Sequence, residues 1–360
     1  MTTTDRRSGH LTLTTTPRDD TDSAAREPGS TPSAAGPSAI DRSAAGPSAA
    51  DPAGGGPAMH PASLFAPGRP AFDVTEMTVG ALAGEELALA DEVSAQLAGV
   101  GRLGVAYSGG VDSAALLALA VRALGAENVV ALLGVSPSLA RRERRLAHQV
   151  ASVIGADVVE VHTHEGENPD YQKNDGTRCF HCKNELFTRI GEDIVGAHQL
   201  DAVAYGENAD DATRHDRPGA GAATRHQVLR PLSTVGVTKP QVRSIARALS
   251  LPVADKPAAP CLASRVPFGQ SVTPEKLRQI DDLEDAVYEQ GFSDCRVRHH
   301  GEVGRIELPT DELARAMEPQ IRAALVAAGK ETGFSHVTID LDGIRSGLFS
   351  LQILNSGSRG

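Results

Sequence analysis

Residues 108–113 read Ser-Gly-Gly-Val-Asp-Ser, set between the apolar segment Leu103-Gly104-Val105-Ala106-Tyr107 and a run rich in Ala and Leu from Ser113 to Leu124. The segment before the hexad has the length and apolar character of a buried parallel strand. The segment after it has those of a helix packed on a sheet. Between them the chain must reverse tightly. Gly109 and Gly110 permit that and let backbone N–H groups approach an anion. The new helix N-terminus adds partial positive charge. Ser108 and Ser113 offer hydroxyl donors to phosphate oxygens, and Asp112 suits either orienting Mg²⁺ or capping the helix. Strand, anion-binding turn and helix in this order leave little room for anything but an α/β sheet.

A Walker A loop would end in Gly-Lys-Ser/Thr, with the lysine reaching the outer phosphates. Here Asp112 precedes Ser113 and the lysine is missing. The hexad resembles the PP-loop of ATP pyrophosphatases. That resemblance implies cleavage of ATP between the α and β phosphates, and adenylylation of a substrate instead of phosphorylation.

The rest of the chain supports such a scaffold. Alternation starts near residue 80, with helices expected at 84–98, 112–124, 138–154, 180–197 and 239–249 and strands at 102–107, 129–135, 157–162 and 202–205. This is the pattern of a doubly wound parallel sheet, whose ligands bind at the carboxyl ends of its strands. Past the Pro-rich segment 252–267 the pattern changes to helix 274–290, strands 295–299 and 305–308, helix 311–328 and strand 336–341. We therefore expect an ATP pyrophosphatase domain at 80–252 and a smaller α+β domain at 253–355. Residues 1–75 are a low-complexity extension, rich in Thr, Ser, Ala, Gly and Pro, with the tetrad GPSA at 36–39 and again at 46–49. Disorder is the expectation for that composition.

The formal charge is −11, and residues 1–70 hold six Arg against seven Asp or Glu, so the folded part is acidic. Nucleic acid is therefore not an expected partner. The lack of Trp argues against an aromatic platform for single strands. The cluster Arg141-Arg142-Glu143-Arg144-Arg145 reads as a solvated helical face. No apolar run is long enough for a membrane span and no secretory signal is evident, so a cytoplasmic protein is expected.

Four cysteines are too few for a disulfide framework. Cys179 and Cys182 form Cys-X-X-Cys at a helix start, where the helix dipole, Arg178 and Lys183 favour thiolate. The pair suits a redox couple, half a zinc site, two ligands of an iron–sulfur cluster, or two unconnected thiols. With Cys261, in Pro260-Cys261-Leu262-Ala263-Ser264-Arg265, it suits a 4Fe-4S cluster with one open iron. Zinc would need a fourth ligand such as His181 or Cys295. Cys295 itself reads as a core residue.

Other polar residues gather at strand ends. The loop after strand 202–205 holds Asn208, Asp210, Asp211, Asp216, Arg217, Pro218 and Gly219, and its carboxylates suit Mg²⁺ or ribose. Gly236-Val237-Thr238-Lys239 opens the next helix with a cap and a lysine placed to meet phosphate. Arg296 and Arg298 alternate on one strand and so share a face. Together with Arg345 they suit the phosphate or carboxylates of a small molecule.

The hexad, YGENADD, DRPG, Arg230-Pro231-Leu232, GVTK, the run from Asp255 to Gly269 with its PCLASR core, RVRHHG and DGIRSG occur in the order seen in the LarE-type sulfur insertases. The resemblance spans roughly residues 80–350. It implies ATP- and Mg²⁺-dependent adenylylation of a pyridinium dicarboxylate mononucleotide in nickel-pincer cofactor synthesis, followed by displacement of AMP by sulfur. It also implies other enzymes of that synthesis as partners and a homo-oligomer. One branch of the family takes sulfur sacrificially from the cysteine matching Cys261. Another holds a 4Fe-4S cluster on three cysteines, and Cys179, Cys182 and Cys261 match that pattern, so the cluster branch is preferred. The resemblance casts Ser108, Gly109, Gly110, Asp112, Ser113 and Lys239 as the ATP site, and Asp210, Asp211, Arg265, Arg296, Arg298 and Arg345 as substrate contacts. An amidating synthetase, an RNA-thiolating enzyme and a non-catalytic nucleotide-binding protein are the competing readings.

Overall fold

The computed structural model describes residues 80–212 and 219–344. The extension at 1–75, Asp216, Arg217, Pro218 and Arg345 lie outside the described residues. Four parallel strands form the first sheet: β1 (Leu103–Tyr107), β2 (Val129–Val135), β3 (Asp157–His162) and β4 (Ala202–Tyr205), in spatial order β3-β2-β1-β4. Successive strands step one way from β1 to β3, and β4 then returns to the other side of β1. Chain direction thus splits between β1 and β4, and the crevice at their carboxyl ends is where such sheets bind ligands.

Side chains alternate across the sheet as the strand period requires. Val105, Ala131 and Leu133 face one core with helices α1 (Gly84–Gln96), α2 (Val111–Leu124) and α3 (Arg141–Ile154). Val130, Leu132 and Tyr205 face the opposite core with Phe187, Ile190, Ala222 and Ala223. The helix expected at 138–154 begins three residues later, at Arg141, because Ser136 to Leu139 form a hydrogen-bonded turn around Pro137. Between β3 and β4 run a short α4 (Pro169–Gln172) and α5 (Arg178–Arg189), which continues through a π-helical turn at Ile190–Ile194 containing Gly191. After β4 come α6 (Ala209–Ala212), α7 (Gly219–Arg225), α8 (Pro231–Val235) and α9 (Lys239–Ala248); of these only α9 is evident from local periodicity.

The second sheet has the order β5-β6-β7, with β5 (Arg296–His300) antiparallel to β6 (Val303–Glu307) and β6 parallel to β7 (His336–Ile339). Helix α10 (Pro274–Glu289) covers it through Leu277, Ile280, Leu283 and Val287. The single helix expected at 311–328 is two, α11 (Leu313–Ala316) and α12 (Pro319–Glu331), since Pro319 cannot donate into a preceding turn but suits a helix start. The core of this sheet also takes in Tyr171, Leu262 and Ala263. Cys261 therefore sits beside residues buried where the two halves of the fold meet. Among the described residues no helix is long and apolar enough to cross a membrane.

Candidate active site

The hexad forms the expected turn. Gly109 has a φ of +71°, and a Cβ there would stand 2.9 Å from the Cβ of Ala147, so both conformation and space demand glycine. Ser113 braces the turn: its hydroxyl accepts from the Ser108 amide at 3.2 Å and donates to the Gly110 carbonyl at 3.0 Å. Helix α2 opens after Gly110 with no side chain capping it, so the capping role open to Asp112 is not realised. The amides of its first turn are left for an anion at the loop.

Asp112 instead makes an ion pair with the Lys239 ammonium, and its other oxygen accepts from Asn208 at 3.0 Å. The lysine expected to meet phosphate and the carboxylate expected to meet Mg²⁺ thus face each other across the mouth of the turn. Asn208 is fully buried and also donates to Asp211 at 3.0 Å, while the Lys239 amide donates to Asp210 at 2.7 Å. Asp210 therefore ties the turn after β4 to the start of α9, while Asp211 holds Asn208 within that turn. A residue that pattern reading passes over is Gly206. A Cβ on it would lie 2.7 Å from backbone atoms of both Asp112 and Ser113, so the exit of β4 packs directly on the start of α2.

A cavity of ≈ 720 Å³ runs from this turn to the cysteine loop. Ser108, Gly110, Asp112 and Lys239 line one part of it, and Cys261, Arg265 and Arg296 another. Gly109 and Ser113 shape the turn from behind. Arg298, Cys179 and Cys182 are outside this lining, as are Asp210 and Asp211.

Cys261 is exposed at the start of a 3₁₀ turn, Leu262–Arg265. The loop carrying it is held by buried cations. Arg265 is only 6% exposed; its guanidinium binds Glu284 at 2.9 Å and the carbonyls of Pro260 and Cys261. Arg178, equally buried, donates to Asn174 and to the Ala263 carbonyl at 2.9 Å. Arg298 grips both oxygens of Glu307 and the Ser264 carbonyl at 2.9 Å, so its geometry is that of a brace. Arg296 faces the cavity. Burial lowers its pKa, as do Arg265 and Arg298, while Asp294 raises it.

Cys179, Cys182 and Cys261 are close enough to act on one another electrostatically. The expected thiolate at the Cys-X-X-Cys pair is not what this environment favours. Burial pushes the Cys182 thiol well up, with Glu165 and the other two cysteines adding to it. Cys179 is an exposed residue, but protein crowds its thiol, and desolvation followed by Cys261 outweighs Arg178 and Lys183. Cys295 is a core residue with a raised pKa, as expected. Among the described residues no group of three His, Cys, Asp or Glu side chains is placed to hold a single metal ion. Three neighbouring thiols match in type and number the protein ligands that a 4Fe-4S cluster with an open iron would need. For Mg²⁺, one carboxylate beside a phosphate turn suffices, since this ion is commonly held by one or two carboxylates plus substrate phosphates.

The solvated face expected of residues 141–145 holds for Arg141, Arg144 and Arg145 but not for Arg142. Its guanidinium stacks 3.3 Å over the Tyr288 ring and lines the cavity. Arg142 lies one turn before the buried Leu146 and two before Val150, and that inward register was the available signal.

The asparagine synthase family model matches residues 86–174, the part that includes the phosphate turn. The chain is 39% identical over 243 residues to an uncharacterised protein of Synechocystis, covering 68% of this chain and 90% of that protein. It is 30% identical over 254 residues to the pyridinium-3,5-bisthiocarboxylic acid mononucleotide synthase of Lactiplantibacillus plantarum, covering 68% and 88%. An uncharacterised protein of Methanocaldococcus jannaschii is 25% identical over 242 residues. With a PP-loop at the switch point of a parallel sheet and this extent of shared sequence, the chain belongs to the LarE-type family of ATP-using PP-loop enzymes.

Proposed function

We propose that this protein is an ATP-dependent sulfur transferase of nickel-pincer cofactor synthesis. It adenylylates a carboxylate of a pyridinium dicarboxylate mononucleotide and replaces AMP by sulfur to give a thiocarboxylate. The observation that carries this reading is the single cavity joining the phosphate turn and Lys239 to Cys261 and Arg296. The parallel-sheet half acts as the activating part (80–252) and the second half (253–355) as the part that receives substrate and delivers sulfur.

The amides after Gly110 and the Ser108 hydroxyl bind the β and γ phosphates on a turn braced by Ser113, joined by Lys239 once it leaves Asp112. Asp112 would then be free to hold Mg²⁺, which would supply positive charge for the departing pyrophosphate. The substrate carboxylate attacks the α-phosphorus, and the bond to the bridging oxygen breaks with pyrophosphate taking the electron pair. Holding both nucleotides in one cavity supplies much of the rate. Arg296 binds the phosphate or second carboxylate of the pyridinium nucleotide, with Arg345 assigned there too. Arg265, Arg298 and Arg178 keep the Cys261 loop in place. Cys179, Cys182 and Cys261 would hold a 4Fe-4S cluster, which would supply the sulfur for the thiocarboxylate. The enzyme acts in the cytoplasm as a homo-oligomer.

Cys261→Ala should retain pyrophosphate exchange with the carboxylated nucleotide and form no thiocarboxylate, read by mass spectrometry. Undiminished thiocarboxylate formation would sink the proposal. Anaerobic purification with iron and sulfide analysis tests the cluster: Cys179→Ala should lose it, and an active protein free of iron would point to Cys261 as the sulfur itself.

A further inference from the structure

The cavity also holds an ion pair used neither by the phosphate turn nor by the cysteines. The Lys256 ammonium binds Glu143, and the two side chains are only 8% and 14% exposed. The second Glu143 oxygen is buried with no hydrogen bond and lies 3.7 Å from Arg142. The backbone here is fixed as well, since Arg243 donates to the carbonyls of Ala254 and, at 3.0 Å, Lys256. From Lys256 to Cys261 every residue lines the cavity, so the lysine begins the wall that the cysteine ends.

A buried pair returns less Coulomb energy than its desolvation costs unless its remaining polar atoms are satisfied. In this pair one Glu143 oxygen has no hydrogen bond and only the more distant Arg142 beside it. Stability is therefore a poor reason for it, and a charge held ready inside a reaction cavity is a good one. The phosphate turn lacks the lysine of a Walker loop, and Lys239 is assigned above to the β and γ phosphates, which leaves the α phosphate without a cation from the turn.

We propose that Lys256 is the cation of the adenylylation step, positioned by Glu143. Its ammonium donates to a non-bridging α-phosphate oxygen as the carboxylate oxygen bonds to phosphorus and pyrophosphate departs with the electrons of the broken bond. No proton changes hands. This assignment rests on the function proposed above and adds a residue to it.

The experiment is ATP–pyrophosphate exchange by the full chain with the pyridinium dicarboxylate mononucleotide, together with ATP affinity by calorimetry. Lys256→Gln should lose about 10²–10³-fold in turnover, as for removal of one charge-stabilising donor, while ATP affinity stays near wild type. Glu143→Gln should lose less. Lys256→Arg keeps the charge and should retain about a tenth of wild-type turnover, its fork being differently shaped. Wild-type exchange in Lys256→Gln overturns the assignment, as does a loss of ATP affinity that matches the loss of turnover. If Lys256→Gln binds no ATP because it misfolds, Lys256→Arg decides: a folded variant with no measurable exchange overturns it. Absence of exchange in the wild-type protein breaks the functional reading instead, so the two failures are distinct.

Discussion

The two parts of the cavity are built by different means. At the phosphate turn, backbone does most of the work: a strand end, glycines and a helix start fix the amides, and a few side chains such as Ser108, Ser113, Asn208 and the Asp112–Lys239 pair are added. At Cys261 the backbone has no ladder or long helix to satisfy it. Buried guanidinium groups supply the donors: Arg265 to the Pro260 and Cys261 carbonyls, Arg178 to Ala263, Arg298 to Ser264. The first construction tolerates little added volume. The second tolerates little loss of charge. That difference predicts which kind of substitution damages each part.

Breaking the cysteine part is expected to have the largest effect. Arg265→Met leaves Glu284 buried without its cation and the Pro260 carbonyl without its donor, a change of the sort that costs about 3–5 kcal/mol. Urea denaturation should show that loss. A destabilisation below about 1 kcal/mol, the level of a surface ion pair, would mean that the loop stands without its arginine. For the phosphate part the corresponding change is Gly206→Ala. The new methyl meets backbone of Asp112 and Ser113 at 2.7 Å, and neither can yield without moving the start of α2. A displacement of the turn by even about 1 Å should lower exchange by about 10²-fold, with stability affected less than in Arg265→Met. Exchange at the wild-type rate would show that the turn accommodates the shift.

The same contrast explains what could be read in the sequence. Strands β1 to β4 are short apolar runs, and their side chains alternate between two cores, so periodicity placed them within a residue. The phosphate turn is local, and its glycines and serines carry their own meaning. The cysteine part is not local. That Arg178 and Arg265 are buried follows from carbonyls 85 residues away or on the same unladdered loop, and residue type alone puts an arginine on the surface. Arg142 was obscured by its neighbours: four arginines in five positions read as one solvated face, although its helical register points inward. The raised pKa of Cys179 has the same origin, since the basic neighbours are visible in sequence and the crowding is not.

A final prediction concerns the seam between the two parts, where α3 meets α10. Asp281 accepts from the Arg141 amide and pairs with its guanidinium at 2.9 Å, with Asp285 and Glu284 also near. Burial, then Asp285, pushes the Asp281 carboxyl up to about 6, against the pull of Arg141. A carboxyl whose folded pKa is raised binds its proton more tightly in the folded protein than in the unfolded chain. Its contribution to stability is therefore full below about pH 4 and is lost as pH rises through about 6. At 1.36 kcal/mol per unit, the ceiling of this effect is about 3 kcal/mol. The stability of wild type relative to Asp281→Asn should fall across that window and level off above it, measured by denaturation at each pH. A difference that is flat, or that rises with pH, would mean that Arg141 dominates, and that the seam is an ordinary ion pair and not a carboxyl held against its charge.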